Sequence, residues 1–423
     1  MKEKFIHYLW QYKLLDLENL ITTTGENVIV FNSGTYNKNS GPDFLNASVQ
    51  INNQLWYGNI EIHLKSSDWY AHHHEKDVNY DAVILHVVYE NDVEIFMSNN
   101  KTLPTLELKG KIDKKLLQNY QKLFSKELRW ISCEKQLKDV DAFIMNNWLE
   151  RLFFERLEKK SKQIQELLTK ANYDYEAVLF QLLVKNFGLK VNNEAFLKLA
   201  QSFNFSILRK VRFKEEVLHA LLFGQGGFLE ENIENEYYKK LQREYQFLQR
   251  KYDLQPLANH NFQFFRMRPH NFPTIRIAQL GALYHKHQNL FSKVLTTESS
   301  EDFYKLFEVK LPTFWKNHYT FAKESKSSHK RLTRSFIELI IINTIIPLKF
   351  LYFKNRGVFR DELFLNLMKE IVPEKNSVIS KFIDKGITVD NAYHTQALLQ
   401  LKNTYCNDKR CLDCAIGAHL IKN

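Results

Sequence analysis

The chain has 423 residues, of which 44% are hydrophobic and 25% charged, a composition typical of a soluble globular protein with two or three domains. Glycine contributes only 13 residues, about 3% against a usual ~7%, and proline contributes 8. These counts predict few turns and long helices, and they disfavour a glycine-rich dinucleotide-binding fold.

The formal net charge of +11 is distributed unevenly along the chain. Residues 1–110 carry 8 basic and 14 acidic side chains, a net charge of −6, so the remainder carries +17. The same first part holds six of the 15 histidines. An acidic, histidine-rich part followed by a basic part indicates a metal site beside a surface that holds a polyanion. The alternative is an accident of surface composition.

Short elements are predicted over the first 110 residues. Apolar side chains at helical spacing predict a helix over residues 5–20. The predicted strands are 27–31, 44–52, 56–65, 82–89, 93–97 and 105–108. Asn52-Asn53 is a hairpin turn in this scheme, and residues 66–81 form a polar connection. The run at 82–89 is almost wholly apolar, as expected of a strand buried on both faces.

From about residue 111 the apolar period becomes helical. Helices are predicted near residues 144–157, 176–188, 214–223, 236–252, 274–290, 329–352, 358–370 and 390–403. The most apolar window, Phe336–Phe353, contains Glu338, Pro347 and Lys349, and is therefore expected to be a buried core helix and not a membrane span. The segment Lys323–Arg334 is expected to be a flexible basic loop.

The predicted fold class is therefore α+β. An α/β domain over residues 1–110 is followed by a larger, basic, all-α domain over 111–403 and a cysteine-rich tail over 404–423. Four cysteines in a chain of this length do not form a disulfide framework, and no signal-type apolar core follows Met1. A cytoplasmic location is expected, and the sequence does not predict the oligomeric state.

The most informative pattern is Gly41-Pro42-Asp43-Phe44 followed by a strand that contains Glu61, His63 and Lys65. Alternate side chains of a strand share a face, so these three should line up opposite the apolar side chains of the same strand. Asp43 begins the preceding strand and could lie beside them. Two carboxylates suit Mg²⁺ or Mn²⁺, and a basic neighbour can orient or deprotonate the attacking water.

These residues resemble the PD-(D/E)XK nuclease superfamily, the restriction-endonuclease-like fold, whose core is a helix, three strands, a helix and a strand. The resemblance implies a mixed sheet and phosphodiester hydrolysis, with Asp43 and Glu61 as ligands of a catalytic Mg or Mn ion. His63 departs from the pattern because it occupies the position of the superfamily's lysine. Either His63 takes that role, or Lys65 reaches in, or the chemistry has been lost. A carboxylate on the first helix often completes such sites, and Glu18 is the candidate.

The whole chain also resembles an uncharacterised bacterial family, a domain of unknown function. The segments that carry this resemblance are SGPDF, GNIEIH, SDW, ILHVVYEND, LLFGQGGFL, RMRPHNFPTIRIAQL and the terminal CxxxxCLDCAIG. This resemblance runs nearly end to end and implies no activity.

The histidines at 72, 73, 74 and 86 support a second interpretation, in which imidazoles bind Zn²⁺ or Mn²⁺. Three consecutive histidines cannot all face one ion, so at most one or two would serve. His72 and His74 could instead contact the substrate, or the segment could be a polar loop. His86, on an apolar strand, is expected to be a hydrogen-bonded core histidine.

The spacing Cys406-x4-Cys411-x2-Cys414 is typical of a structural zinc ion or an iron–sulfur cluster, with Cys133 as the remaining candidate ligand. Some nucleases of the superfamily carry a similar iron–sulfur staple, built from one upstream cysteine and a downstream triplet. Here Cys133 follows the nuclease-like motif, whereas in those proteins the upstream cysteine precedes it. Reduced free thiols are the alternative.

In the helical part, Arg266, Arg268 and Arg276 alternate with aromatic residues and prolines. Such a segment could hold phosphates and stack bases. It could equally cap and orient a helix.

The leading hypothesis is a metal-dependent nuclease or nuclease-like DNA-processing protein, a hydrolase that binds nucleic acid, with DNA as the expected partner, and no membrane. One alternative is a noncatalytic nucleic-acid-binding or scaffold protein on a degenerate nuclease fold. Another is a zinc-dependent hydrolase that uses the histidine cluster.

Overall fold

The structure is a computed structural model that describes residues 1–125, 127–258 and 261–423. It divides into two compact units. Unit 1 comprises residues 1–148, 385–387 and 401–423, and unit 2 comprises residues 149–384 and 388–400. The N-terminal sheet and the large helical remainder confirm the predicted mixture of an α/β part and a longer helical part. The boundary predicted at residue 110 lies inside unit 1.

The helices of the described residues are α1 (Glu3–Gln11), α2 (Asp68–Ala71), α3 (Lys114–Leu123), α4 (Ala142–Lys170), α5 (Tyr175–Phe187), α6 (Leu189–Gln201), α7 (Phe205–Val211), α8 (Glu215–Gln225), α9 (Glu236–Tyr252), α10 (Pro273–Lys286), α11 (Leu290–Thr296), α12 (Ser300–Leu306), α13 (Arg334–Ile340), α14 (Ile346–Lys354), α15 (Asp361–Lys369), α16 (Ser377–Asp384), α17 (Ala392–Gln400) and α18 (Ala415–Lys422). The strands are β1 (Leu20–Ile21), β2 (Asn27–Asn32), β3 (Thr35–Tyr36), β4 (Phe44–Ile51), β5 (Gln54–Lys65), β6 (Val83–Glu90) and β7 (Thr105–Glu107).

All seven of these strands form one mixed sheet in unit 1, in the order β1-β2-β4-β5-β6-β7, with β3 paired to β4. Strands β2, β4 and β5 pair antiparallel, whereas β5, β6 and β7 pair parallel. The β4–β5 hairpin closes where predicted, because Ile51 pairs with Gln54 and Asn52 takes a left-handed φ of 52°. Ile60 and Ile62 of β5 are fully buried in the core that α1 covers.

Helix α1 is shorter than predicted, since it ends at Gln11 and not near residue 20. Lys13 takes a left-handed φ of 50°, and the Leu14 N–H donates to the Leu9 carbonyl at 2.8 Å, a pattern that ends helices. The predicted periodicity over residues 15–20 therefore reflects core packing by a loop. Glu18 lies in that loop and is exposed.

The segment after β5 is folded, although the sequence predicted only a polar connection. It consists of α2 and two single-turn 3₁₀ helices, His74–Lys76 and Val78–Tyr80. Trp69 and Tyr80 from this segment pack with Val83, Ile95 and Leu103 in a small second core. The strand predicted at 93–97 is wrong, because that stretch makes only an isolated bridge between Phe96 and Thr102.

Among its described residues, the regular elements of unit 2 are helices, joined by loops and by one isolated bridge between His318 and Glu324. The stretch Arg334–Lys354, in which a π-helical turn (Ile341–Ile345) joins α13 to α14, is long and apolar enough to cross a membrane by composition. However, 72% of its apolar window is buried within the structure, as the prediction of a core helix requires. The basic loop is also more ordered than predicted: Lys330 is 5% exposed and donates to the Lys316 carbonyl.

The C-terminal tail returns to unit 1. A π-helical turn (Leu401–Cys406) and a 3₁₀ turn (Cys411–Asp413) precede α18, which packs against α3. Leu412 and Ile421 join the same hydrophobic core as α1 and β5.

Candidate metal centre

The outward face of β5 carries the predicted row Glu61, His63 and Lys65, but two of these side chains are not on a free surface. Glu61 is 5% exposed and His63 is 1% exposed. They are buried because the segment that contains α2 and the 3₁₀ turns covers this face. The two residues therefore line the floor of an enclosed polar site.

The three consecutive histidines separate as predicted, and two of them face this floor. His72 ends α2 and His74 begins the first 3₁₀ turn, while His73 between them takes a left-handed φ of 60°. This reversal of the backbone brings His72 and His74 to the same side. His63, His72 and His74 each offer one ring nitrogen, and these three atoms lie within 4.8 Å of one another.

The distances between the converging atoms are those of neighbouring ligands around one small cation. His63 Nε2 lies 3.1 Å from His72 Nδ1. Glu61 Oε1 lies 3.5 Å from His63 Nε2 and 3.3 Å from His74 Nε2. Metal–nitrogen bonds of 2.0–2.1 Å in tetrahedral geometry place neighbouring ligand atoms about 3.3 Å apart. The residues present therefore fit a divalent cation such as Zn²⁺ or Mn²⁺, with His72 on the exposed side.

A second histidine orients the first. His63 Nδ1 lies 2.8 Å from His86 Nε2, and His86 is fully buried on β6, the core position predicted for it. If His63 directs its Nε2 lone pair into the site, its Nδ1–H donates to His86, an arrangement common behind metal-binding histidines. His74 Nε2 is buried and has no hydrogen-bond partner, so its lone pair is available to a metal.

Asp43 is held next to Glu61 by reciprocal backbone hydrogen bonds. The Asp43 N–H donates to Glu61 Oε2, and the Ile62 N–H donates to Asp43 Oδ2, both at 3.0 Å. The Asp43 carboxylate then faces His7 of α1, with Oδ2 3.2 Å from Nε2. The predicted pair of carboxylates is thus brought together. Asp43 is paired with a histidine, whereas Glu61 belongs to the histidine cluster.

Glu3 and His7 belong to the site but were not predicted. Glu3 Oε1 lies 3.8 Å from His7 Nε2, and the two residues are one helical turn apart on α1. The first helix thus brings Glu3, and not Glu18, close to His7. The spacing Glu3-x3-His7 was visible in the sequence, but its importance depends on the loop that brings Asp43 to α1.

Burial and mutual repulsion shift the pKa values of these groups. Burial, with the charge of Asp43, raises the pKa of Glu61 to about 9, and burial among the other histidines lowers the pKa of His63 to about 2. Burial alone would lower the pKa of His7, but the hydrogen bond and charge of Asp43 outweigh it and raise that pKa. The site thus combines neutral imidazoles near Glu61 with a readily protonated imidazole near Asp43.

Lys65 lies outside the cluster. Its side chain is largely exposed and its Nζ lies 3.7 Å from Asp92 Oδ2. Asp68 accepts a hydrogen bond from the Lys65 backbone N–H at 3.0 Å and so holds the end of β5. Tyr80 stacks on His74 with ring centroids 3.7 Å apart, and burial raises its pKa to about 12.

The three arginines predicted to bind substrate belong to unit 2 and differ in exposure. Arg266 and Arg268 are exposed. Arg276 is 5% exposed: its guanidinium donates to Asn271 and Gln279 and lies 3.5 Å from the centre of the Phe336 ring. Arg276 is therefore buried in contacts around the start of α10 and is not presented to a ligand, although α10 has no side-chain cap of the kind that the capping alternative expected.

Comparison with known proteins gives one match. A family model described as "Protein of unknown function (DUF2851)" matches residues 3–377. No match was found among curated proteins or among solved structures.

Proposed function

We propose that this chain, which belongs to the DUF2851 family, is a metal-dependent phosphodiesterase that hydrolyses nucleic acid, with DNA as the expected substrate. The proposal is carried by one observation. Three histidines, His63, His72 and His74, bring one ring nitrogen each within 4.8 Å of one another. The Glu61 carboxylate lies beside His63 and His74, and a second carboxylate–histidine pair, Asp43 and His7, lies next to Glu61.

Glu61, His63, His72 and His74 would hold the cation. When bound there, it would polarise a phosphoryl oxygen and lower the pKa of a bound water to near neutrality. Glu61, whose pKa is raised in the protein alone, would be ionised by the neighbouring positive charge. His86 keeps the His63 ring in place through the bond between their nitrogens.

His7 and Asp43 provide the acid–base chemistry of the proposal. Burial opposes protonation of His7, but the hydrogen bond and charge of Asp43 raise its pKa, so its imidazolium form is more favoured than that of a free imidazole. A charged imidazole can hold a phosphate oxygen and give its proton to the leaving oxygen. Asp43 stabilises the charged form, and the Ile62 N–H fixes the direction of the Asp43 carboxylate.

Two further features support phosphodiester hydrolysis. When the two-residue strands β1 and β3 are set aside, the elements α1, β2, β4, β5, α2 and β6 follow the order helix, three strands, helix and strand that the resemblance to the PD-(D/E)XK superfamily implies. The charge of +17 outside the first 110 residues suits a polyanionic substrate. In this proposal, His63 serves as a metal ligand at the position of the superfamily's lysine.

A zinc-dependent hydrolase acting on another substrate is the second candidate. It is favoured by the three imidazoles that lie together at the site, because zinc commonly takes imidazole ligands.

The test is cleavage of single- and double-stranded DNA and RNA by the full chain with Mn²⁺, Mg²⁺ or Zn²⁺. We expect metal-dependent cleavage that falls at least about 100-fold in Glu61→Gln and in His7→Gln. The matched control is Glu94→Gln, which changes an exposed carboxylate of unit 1.

Cleavage that persists in both site variants would refute the proposed active site. Absence of cleavage with every metal, together with salt-sensitive binding of nucleic acid, would favour the noncatalytic alternative. Zinc-dependent hydrolysis of other esters without nuclease activity would favour the second candidate.

A further inference from the structure

We propose that Cys133, Cys406, Cys411 and Cys414 hold a second metal centre through four thiolates, and that this centre fastens the C-terminal tail to the rest of unit 1. The proposal is independent of the activity proposed above. It uses all four cysteines of the chain, and all of them are free thiols in the structure.

The fold brings these cysteines together from distant parts of the sequence. Cys133 lies between α3 and α4, while Cys406 ends the π-helical turn of the tail. Cys411 begins the 3₁₀ turn, and Cys414 immediately precedes α18. All four line one cavity, which Leu123 and Ile416 close with apolar surface. Convergence of every cysteine of so cysteine-poor a chain on one cavity indicates a shared ligand.

Cys414 has hydrogen-bond donors directed at its sulfur. The backbone N–H groups of Ile416 and Gly417, in the first turn of α18, donate to its sulfur. The start of a helix also favours negative charge, and hydrogen bonds to sulfur are a regular feature of thiolate–metal centres. The Ser132 hydroxyl donates to Cys411 in the same way.

Gly417 is required for this arrangement. A Cβ atom at this position would lie 2.0 Å from the Cys411 carbonyl oxygen, so any side chain would force the 3₁₀ turn and α18 apart. The two cysteines of the Cys411-x2-Cys414 pair are held together by this close approach.

Without a cation, the cavity is unfavourable for thiolates. Burial, together with the neighbouring thiols, raises the pKa of Cys133 to about 12, and burial raises that of Cys414 to about 11. A bound metal would displace the thiol protons, and its positive charge would compensate the buried thiolates.

The separation of the sulfur atoms favours a cluster over a single zinc ion. Zinc–sulfur bonds of 2.3 Å would place neighbouring sulfurs about 3.8 Å apart. Among the residues that the structure describes, the ligand atoms of His63, His72 and His74 lie within 4.8 Å of one another. No three of the four cysteine sulfurs lie that close together. An iron–sulfur cluster binds each thiolate at a separate iron atom and accepts this wider spread.

The consequence is structural. Cys406, Cys411 and Cys414 belong to the tail, whereas Cys133 precedes α4, so the centre closes a loop of more than 250 residues in the chain. It lies beside the contact between α18 and α3 and beside Leu412, which packs into the core shared with α1. Loss of the centre should therefore release α18.

The test is anaerobic purification of the full chain, followed by determination of iron, acid-labile sulfide and zinc per chain and by visible spectroscopy. We expect stoichiometric iron and sulfide. We also expect the broad visible absorption, at roughly 400 nm, of a thiolate-bound cluster. Cys133→Ser and Cys414→Ser should lose the metal, and Asn403→Ser, an exposed change in the π-helical turn that ends at Cys406, should retain it. Stoichiometric zinc that depends on the same cysteines would also support the centre and would assign it to zinc.

A measurement on the unchanged protein covers the case in which the cysteine variants do not fold. Thiol reagents should modify none of the four cysteines quickly in the native protein and all four after removal of the metal. His74→Gln should leave this metal in place, which separates it from the histidine site. Metal-free protein with four freely reactive thiols, after reconstitution with iron and sulfide and with zinc, would overturn the proposal.

Discussion

At the scale of single residues, the interpretation of the site depends most on His63. In the PD-(D/E)XK nuclease superfamily, which the sequence resembles, a lysine occupies the position of His63. The sequence left open whether a histidine there preserves the chemistry. The structure places His63 at the centre of the site, 3.1 Å from His72 and 2.8 Å from His86. A buried lysine would bring a positive charge among imidazoles, whereas a neutral histidine brings a metal-binding lone pair. This supports a change from catalytic base to metal ligand.

The burial of His86 predicts a dependence of stability on pH. Burial lowers its pKa to about 3 in the folded protein, so the unfolded chain binds more protons between pH 6.5 and 3. The free energy of unfolding should therefore fall with decreasing pH in this window, by about 1.4 kcal/mol per pH unit from His86 alone. Glu61, whose pKa is raised to about 9, contributes with the opposite sign between pH 9 and 4.5.

Comparison of variants isolates the contribution of His86. Denaturant unfolding of the chelator-treated protein between about pH 5.5 and 4, where His86 is protonated in the unfolded chain and neutral in the folded one, should show a slope smaller by about 1.4 kcal/mol per pH unit in His86→Gln. The amide of Gln can still accept the hydrogen bond from His63. His329→Gln changes an exposed histidine and should leave the slope unaltered. Equal slopes in all three proteins would contradict the assignment of His86 as a neutral core residue.

At the scale of elements, the strands were predicted more accurately from the sequence than the segment 66–81 that covers β5. Strands β4, β5 and β6 and the Asn52 turn are confirmed, because alternation and β-branched residues report local burial. The polar segment 66–81 was expected to be a loop, since its few apolar side chains, Trp69 and Tyr80, show no period. The fold of this segment depends on tertiary contacts with β5. The burial of Glu61 and His63 beneath it therefore did not follow from the sequence. Nor did the sequence show that His72 and His74, and not His73, face the site.

The reversal at His73 is the feature of this segment that is most open to test. Its left-handed backbone costs a residue with a side chain about 1–2 kcal/mol, and a β-branched residue more. His73→Val should therefore destabilise unit 1 and weaken metal binding, whereas His73→Gly should preserve binding and relieve the strain. Thermal unfolding and metal titration of the two variants measure this. If His73→Val bound metal as tightly as the unchanged protein, the backbone reversal would not be what aligns His72 with His74.

At the scale of the whole molecule, the chain separates its charges. The acidic first 110 residues contain the candidate metal centre, and the remainder, with a charge of +17, includes the exposed Arg266 and Arg268 of unit 2. Repulsion between carboxylates and phosphates is relieved by a bound cation, while basic side chains bind the backbone without regard to sequence. The division of charge therefore suits a protein that holds a polyanion and acts on it through a metal.

Salt dependence tests this division. The Glu61→Gln chain, used to prevent cleavage, should bind duplex DNA with an affinity whose logarithm falls linearly with the logarithm of salt concentration, with a slope of about 0.9 per neutralised phosphate. Replacing Arg266 and Arg268 by Ala should reduce that slope by about 2. Fluorescence anisotropy at several salt concentrations measures it. A slope near zero, or one that the double substitution leaves unchanged, would remove these arginines from the nucleic-acid surface.

The central claim is that Glu61, His63, His72 and His74 bind a divalent cation, and calorimetric titration of the chelator-treated full chain with Mn²⁺ tests it most directly. Mn²⁺ is suitable because it prefers carboxylate and imidazole ligands and competes poorly for thiolates. We expect one Mn²⁺ per chain at this site, with affinity reduced at least about tenfold in His72→Ala and in His74→Ala, and unchanged in His73→Asn. No binding by the unchanged chain, or equal binding by all four proteins, would contradict the account.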